Sequence, residues 1–218
     1  MRRLLLLVGV LLSGGALYVV AIHTPPGPRS LRVFDPDRMA DLELRMWQAY
    51  YAKQRVRLFA LLVTMLHEQN RYPWAKATRA GFHLARAAAT FGDARGDYER
   101  VLPDLERAYA IARDWNGAGF DPKEVARAEL AWWAARRNPG ASTVENVGAL
   151  IAEEYSLLYE VSRERVTLAA ARRAEAAALR DSGRANADWP TISRILRDSY
   201  RELRVAVAEP PKAAPPTP

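Results

Sequence analysis

The chain has 218 residues, half of them hydrophobic and 26% charged, a balance that suits a folded globular body and excludes wholesale disorder. It contains no cysteine and three histidines (His23, His67 and His83), which excludes disulfides, thiolate metal centres, iron–sulfur clusters, a cysteine nucleophile and a lipid anchor on cysteine. Its 32 basic and 25 acidic residues leave a formal charge of +7 that is spread along the chain and not gathered into blocks, so a concentrated basic stripe for nucleic acid is absent.

Arg2 and Arg3 precede nineteen uncharged residues, Leu4 to Ile22, which as a helix would span about 28 Å, close to the hydrocarbon thickness of a bilayer. Tyr18 stands near its far end, at the depth where interfacial aromatics collect. Residues 1–23 are therefore expected to be a transmembrane signal anchor. A cleaved signal peptide ending at Ala21 is the competing reading. The twin arginines favour an amino terminus inside, and the body then lies outside the cytoplasm, in the periplasm if the cell is bacterial. Residues 24–34 follow as a proline-rich linker.

From 35 to 207 the pattern predicts an all-α bundle of about six to seven helices. Asp35-Pro36 places an N-cap before a proline at the first helical position, and the run behind it contains no Pro or Gly until Asn70. Arg71-Tyr72-Pro73 closes that helix. A second, near Trp74 to Phe91, carries a stripe at 74, 77, 81, 84, 88 and 91, with Ala77, Gly81 and Ala88 small enough for close helix contact. Asp97 is the expected cap of a third helix through about Trp115, stopped by the glycines at 117 and 119. Asp121-Pro122 opens the fourth, which Asn138-Pro139-Gly140 closes. Ser142 with Glu145 predicts a capping box for a fifth, ending near Tyr159. A sixth runs from Ser162 to about Ser182-Gly183. Asp188 caps a seventh, and residues 208–218, rich in Pro and Ala, are expected to be disordered or extended.

One internal match stands out. Residues 34–47 (FDPDRMADLELRMW) and 120–133 (FDPKEVARAELAWW) share seven of fourteen positions, including Phe34/Phe120, Glu43/Glu129 and Trp47/Trp133. Asp97/Asp188, Leu105/Leu196 and Tyr109/Tyr200 align further on. The expectation is a body of two three-element halves, 34–115 and 120–206, arising by duplication.

Glu43 and Glu129 sit on otherwise apolar helix surfaces, where a carboxylate is expensive to bury unless paired or ligating. With Trp47 and Trp133 they form the candidate ligand site. Two meanings stay open: a metal- or cofactor-binding bundle, or structural pairing of each glutamate with an arginine such as Arg57, Arg136 or Arg137. No Glu-x-x-His motif, phosphate loop, nucleophile elbow or Ser/His/Asp set occurs in the chain, so no catalytic, metal or cofactor residue is assigned. The segment Gly96-Asp-Tyr-Glu99 followed by Leu105, Ala108 and Tyr109 is loosely similar to the second helix of a tetratricopeptide repeat, which implies protein–protein interaction. Pro103 and the 86-residue spacing of the internal match depart from that architecture. The expected role is a membrane-anchored scaffold or accessory subunit, in contact with the bilayer through residues 4–22 and with a protein partner. A secreted soluble bundle is the outcome if the leader is removed.

Overall fold

The computed structural model describes residues 21–183 and 186–208, and among them it is all-α with no strand. The expected membrane segment lies outside the described residues except for Ala21 and Ile22, as does the tail beyond Ala208. Among the described residues no helix is long and apolar enough to cross a membrane.

Between residues 36 and 206 eight described α-helices follow one another: α1 (Pro36–Tyr51), α2 (Arg55–Glu68), α3 (Trp74–Asp93), α4 (Leu102–Asn116), α5 (Pro122–Ala135), α6 (Val144–Tyr159), α7 (Arg163–Gly183) and α8 (Trp189–Ala206). The starts of α1 and α5 follow local rules. The Asp35 carboxylate accepts from the backbone N–H groups of Asp37 and Arg38, both at 3.0 Å, and that of Asp121 from Lys123 at 2.9 Å. Asp188 accepts from Thr191 at 3.1 Å and caps α8.

Three expectations shift. The single long first helix is two, because the chain reverses between α1 and α2 with Lys53 at φ 56° and the Gln54 N–H donating to Ala49. Residues 51–57 are all exposed, so nothing buried holds the helix straight there. The cap of α6 is Thr143, whose hydroxyl accepts from Asn146, and not Ser142, whose hydroxyl instead donates to the Pro139 carbonyl. The helix expected from Asp97 starts at Leu102 after a 3₁₀ turn, Glu99–Val101, because Pro103 is accommodated only in a first turn. The tetratricopeptide-like segment is thus loop and 3₁₀ turn up to Val101, and not one helix.

The chain divides into two compact units. Unit 1 holds residues up to Ser30 together with Leu42–Ala126. There α2 packs on α3 and α3 on α4. Leu42, Met46, Ala49, Leu61 and Leu62 form one buried cluster, and Val63, Leu66, Tyr72, Ala77 and Ala80 another. Gly81 lets α3 approach α2, since a Cβ there would stand 2.9 Å from a Val63 methyl.

Unit 2 holds Leu31–Asp41 and residues from Arg127 onward. Its alanine-rich α7 packs against both α6 and α8, burying Ala169, Ala170, Ala174, Ala176 and Ala177. Gly148 of α6 meets the backbone of Ala171, where a Cβ would stand 3.2 Å away. The Ser199 hydroxyl of α8 donates to the Ala169 carbonyl at 2.8 Å, which satisfies a buried polar group.

Candidate functional site

The residues singled out by sequence fall in both units. Glu43 is buried in unit 1, 4% exposed, and Trp47 is half-buried on the same helix. Glu129 belongs to unit 2 and is half-buried, and Trp133 meets Trp132 edge-on at 6.1 Å. Arg57 donates to Gln54, and Arg136 donates to Asp181 with its guanidinium also over the Trp132 ring. Among the described residues no three histidine or acidic side chains converge as a metal site.

Each unit instead contains a buried carboxylate with its own set of partners. In unit 1, Asp104 of α4 is 6% exposed. The His83 Nδ1 lies 2.8 Å from its Oδ1, and Arg86 Nε donates to its Oδ2 at 2.5 Å. Both partners come from α3, one helical turn apart. Burial pushes the Asp104 carboxyl up, but the hydrogen bonds and charges of Arg86 and His83 outweigh it and hold the group below the usual carboxylate value. The Arg86 guanidinium also lies over the exposed Phe82 ring at 5.3 Å.

In unit 2, Glu154 of α6 is 5% exposed and accepts from the Trp132 indole N–H at 2.5 Å. The Arg173 guanidinium of α7 stands 4.8 Å from the Trp132 ring centroid, with an Nη1 3.9 Å from the Glu154 carboxylate. Carboxylate, indole and guanidinium satisfy one another in the core, which is the condition for burying a charge at all. Sequence reasoning passed over both carboxylates. Glu154 lies beside the apolar stripe of Ile151, Tyr155 and Tyr159, and Asp104 beside Val101, Leu105 and Ala108; that is the same signal that singled out Glu43.

A third arrangement lies where residues 24–30 pack on unit 1. The Arg29 guanidinium stands 4.0 Å from the Trp115 ring centroid, and the Lys76 ammonium 5.2 Å from the same ring. Tyr72 meets Trp115 edge-on at 6.0 Å. Burial pushes the Tyr72 hydroxyl far above its ordinary range, against the opposing effect of its hydrogen bond with Asn116. Gly27, at φ 123°, passes close over the Arg71 side chain, where a Cβ would stand 3.1 Å from Nε. Arg71 is itself in the left-handed region at φ 59° and donates to the Glu68 carbonyl. Next to it, the exposed Trp74 ring stacks on His67 at 3.8 Å, and His67 Nδ1 lies 2.7 Å from the Tyr72 carbonyl oxygen.

A groove of about 380 Å³ between α4 and the start of α5 mixes Arg107, Arg113 and Lys123 with Glu106 and Asp121, so it has little charge preference. No family model, no curated protein and no solved structure matches the chain.

Proposed function

We propose that this protein is a membrane-anchored helical scaffold or accessory subunit, tethered by residues 4–22, with its bundle outside the cytoplasm and a protein partner in the membrane or envelope. The observation that carries the reading is the clamp on residues 24–30. A stretch read from sequence as a proline-rich linker is held to unit 1 by Arg29 over Trp115 and by Gly27 over Arg71. A short, held connection keeps a bundle close to whatever anchors the chain, whereas a loose one lets it roam. The buried carboxylates Asp104 and Glu154 support a binding role over a catalytic one, since their contacts are spent within the core.

The test is carbonate extraction of membranes followed by purification in detergent. The full, unprocessed chain is expected to stay in the membrane fraction and to elute with a stoichiometric membrane protein. Recovery of intact chain in the soluble fraction, or of free monomer alone, sinks the proposal. Two rivals have their own readouts. A mature terminus at Ile22 would establish the secreted bundle, and stoichiometric iron or manganese in the purified protein would favour a metal site using Glu43 and Glu129.

We also propose that α1–α4 and α5–α8 descend from a duplicated unit of four helices, one more than the sequence match suggested, because the break at Lys53 now answers the one at Asn138-Pro139-Gly140. Two ring contacts support it. Phe120 meets Tyr109 edge-on at 6.4 Å inside unit 1, and their sequence counterparts Phe34 and Tyr200 meet edge-on at 6.2 Å inside unit 2.

A further inference from the structure

We infer that the clamp of residues 24–30 on unit 1 is a binding site for the phosphate of an anionic lipid headgroup, formed by Arg29, Arg71, Lys76 and the Trp115 indole N–H. Two cations lie over the ring of Trp115, the Arg29 guanidinium at 4.0 Å and the Lys76 ammonium at 5.2 Å from its centroid, a concentration of like charge that an anion offsets. Among the described residues no carboxylate is paired with Arg29, Arg71 or Lys76. The acid next to Trp115 along the chain, Asp114, is taken by Arg113 at 2.8 Å.

The second observation concerns hydrogen bonds. Arg71 Nε and Trp115 Nε1 are buried N–H donors with no acceptor among the described residues. A buried donor left unmade is expensive, and an oxyanion accepts from several such groups at once. The same ends of α3 and α4 thus present surplus positive charge and unused donors, which is the complement of a phosphodiester. An aromatic at the edge, the exposed Trp74, suits the depth at which headgroups meet acyl chains.

The lipid, as the source of that phosphate, is argued from the chain itself. Arg29 follows Ile22 by seven residues, so its backbone is at most about 25 Å from the end of the apolar segment even if the linker were fully extended. This step deepens the anchored reading and rests on it for the bilayer's proximity. Anionic surfaces attract each nearby Lys or Arg, and the site turns that diffuse pull into a defined orientation.

The experiment titrates the ¹⁵N-labelled full chain in neutral detergent and follows the Trp115 indole N–H resonance, assigned with Trp115→Phe. The probes are dihexanoyl phosphatidylglycerol, dihexanoyl phosphatidylcholine and inorganic phosphate at constant ionic strength. A saturable shift with phosphatidylglycerol is expected, with roughly ten- to thirtyfold weaker binding in the Arg29→Gln/Lys76→Gln double variant. Both residues lie at the surface or partly so, and circular dichroism checks that the variant still folds. An unmoved resonance, or an equal response of wild type and variant, overturns the site. An equal response to phosphatidylcholine or to inorganic phosphate overturns the anionic lipid assignment. Because this readout needs no bilayer, it separates from carbonate extraction: release from membranes with an intact titration breaks the anchor and spares the site.

Discussion

The two compact units differ in what fills their buried clusters. Unit 1 packs Met65 and Leu84 against a cluster that includes Met46. Unit 2 buries Glu154, which accepts from the Trp132 indole, with the Arg173 guanidinium over the same ring. Unit 1 also buries carboxylates, at Glu43 and at Asp104, the latter held by His83 and Arg86 of α3. A helical core tolerates an apolar or an ionic filling because the requirement is volume plus complete pairing, not a particular chemistry.

The sharpest way to break this comparison is to interrupt the ionic filling. Glu154→Met leaves Arg173 without its carboxylate and is expected to cost about 3 kcal/mol or more in urea unfolding. Adding Trp132→Met and Arg173→Leu makes the filling wholly apolar, as in the unit 1 cluster around Met46, and should restore most of that loss. If the triple variant is no more stable than the single, the two cores are not interchangeable. The next effect concerns close helix approach. Gly81→Ala sets a Cβ against the buried Val63 and should destabilise by about 1–3 kcal/mol, with Val63→Ala rescuing part of it. Failure of the rescue would mean that the clash lies elsewhere.

Asp104 supplies a pH test. Its carboxyl is held below the ordinary 3.8, so the unfolded chain binds the proton more readily and stability falls as pH drops. That contribution is fully present above about pH 5 and is lost as acid carries the group through its lowered folded value. Asp104→Asn should therefore flatten the dependence of unfolding free energy on pH between about 5 and 3. An unchanged slope would remove Asp104 from the account.

The smallest expected effect compares helix ends. α4 stops on Gly117 at φ 65°, and α6 stops on Glu160 at φ 51°. Glu160→Gly should stabilise by up to about 1 kcal/mol and Gly117→Ala destabilise by a similar amount, both read by thermal unfolding. Equal and opposite shifts would establish that the two ends differ only in backbone conformational cost.

Much of the fold was legible because it is local. Proline at Pro36, Pro122 and Pro73, aspartate at Asp35, Asp121 and Asp188, and glycine at Gly117 set helix limits through the backbone of their own turn. The break at Lys53 was written more faintly. Buried positions stop after Ala49 and resume at Leu61, with only half-buried Tyr50, Leu58 and Phe59 on either side of the exposed run, yet no Gly or Pro marks the gap. The carboxylate signal that pointed to Glu43 applied equally to Glu154 and Asp104, and a sequence offers no way to rank them.

By itself, the amino-acid sequence determined that the body is helical, where most helices start and stop, and that its core stripes include acidic residues, since period and capping depend on neighbours a few positions away. Tertiary structure alone decided which partners those acids meet. His83 reaches Asp104 across 21 residues and Trp132 reaches Glu154 across 22, because the rotation of one helix against the next, set by packing along their whole length, selects the pairs.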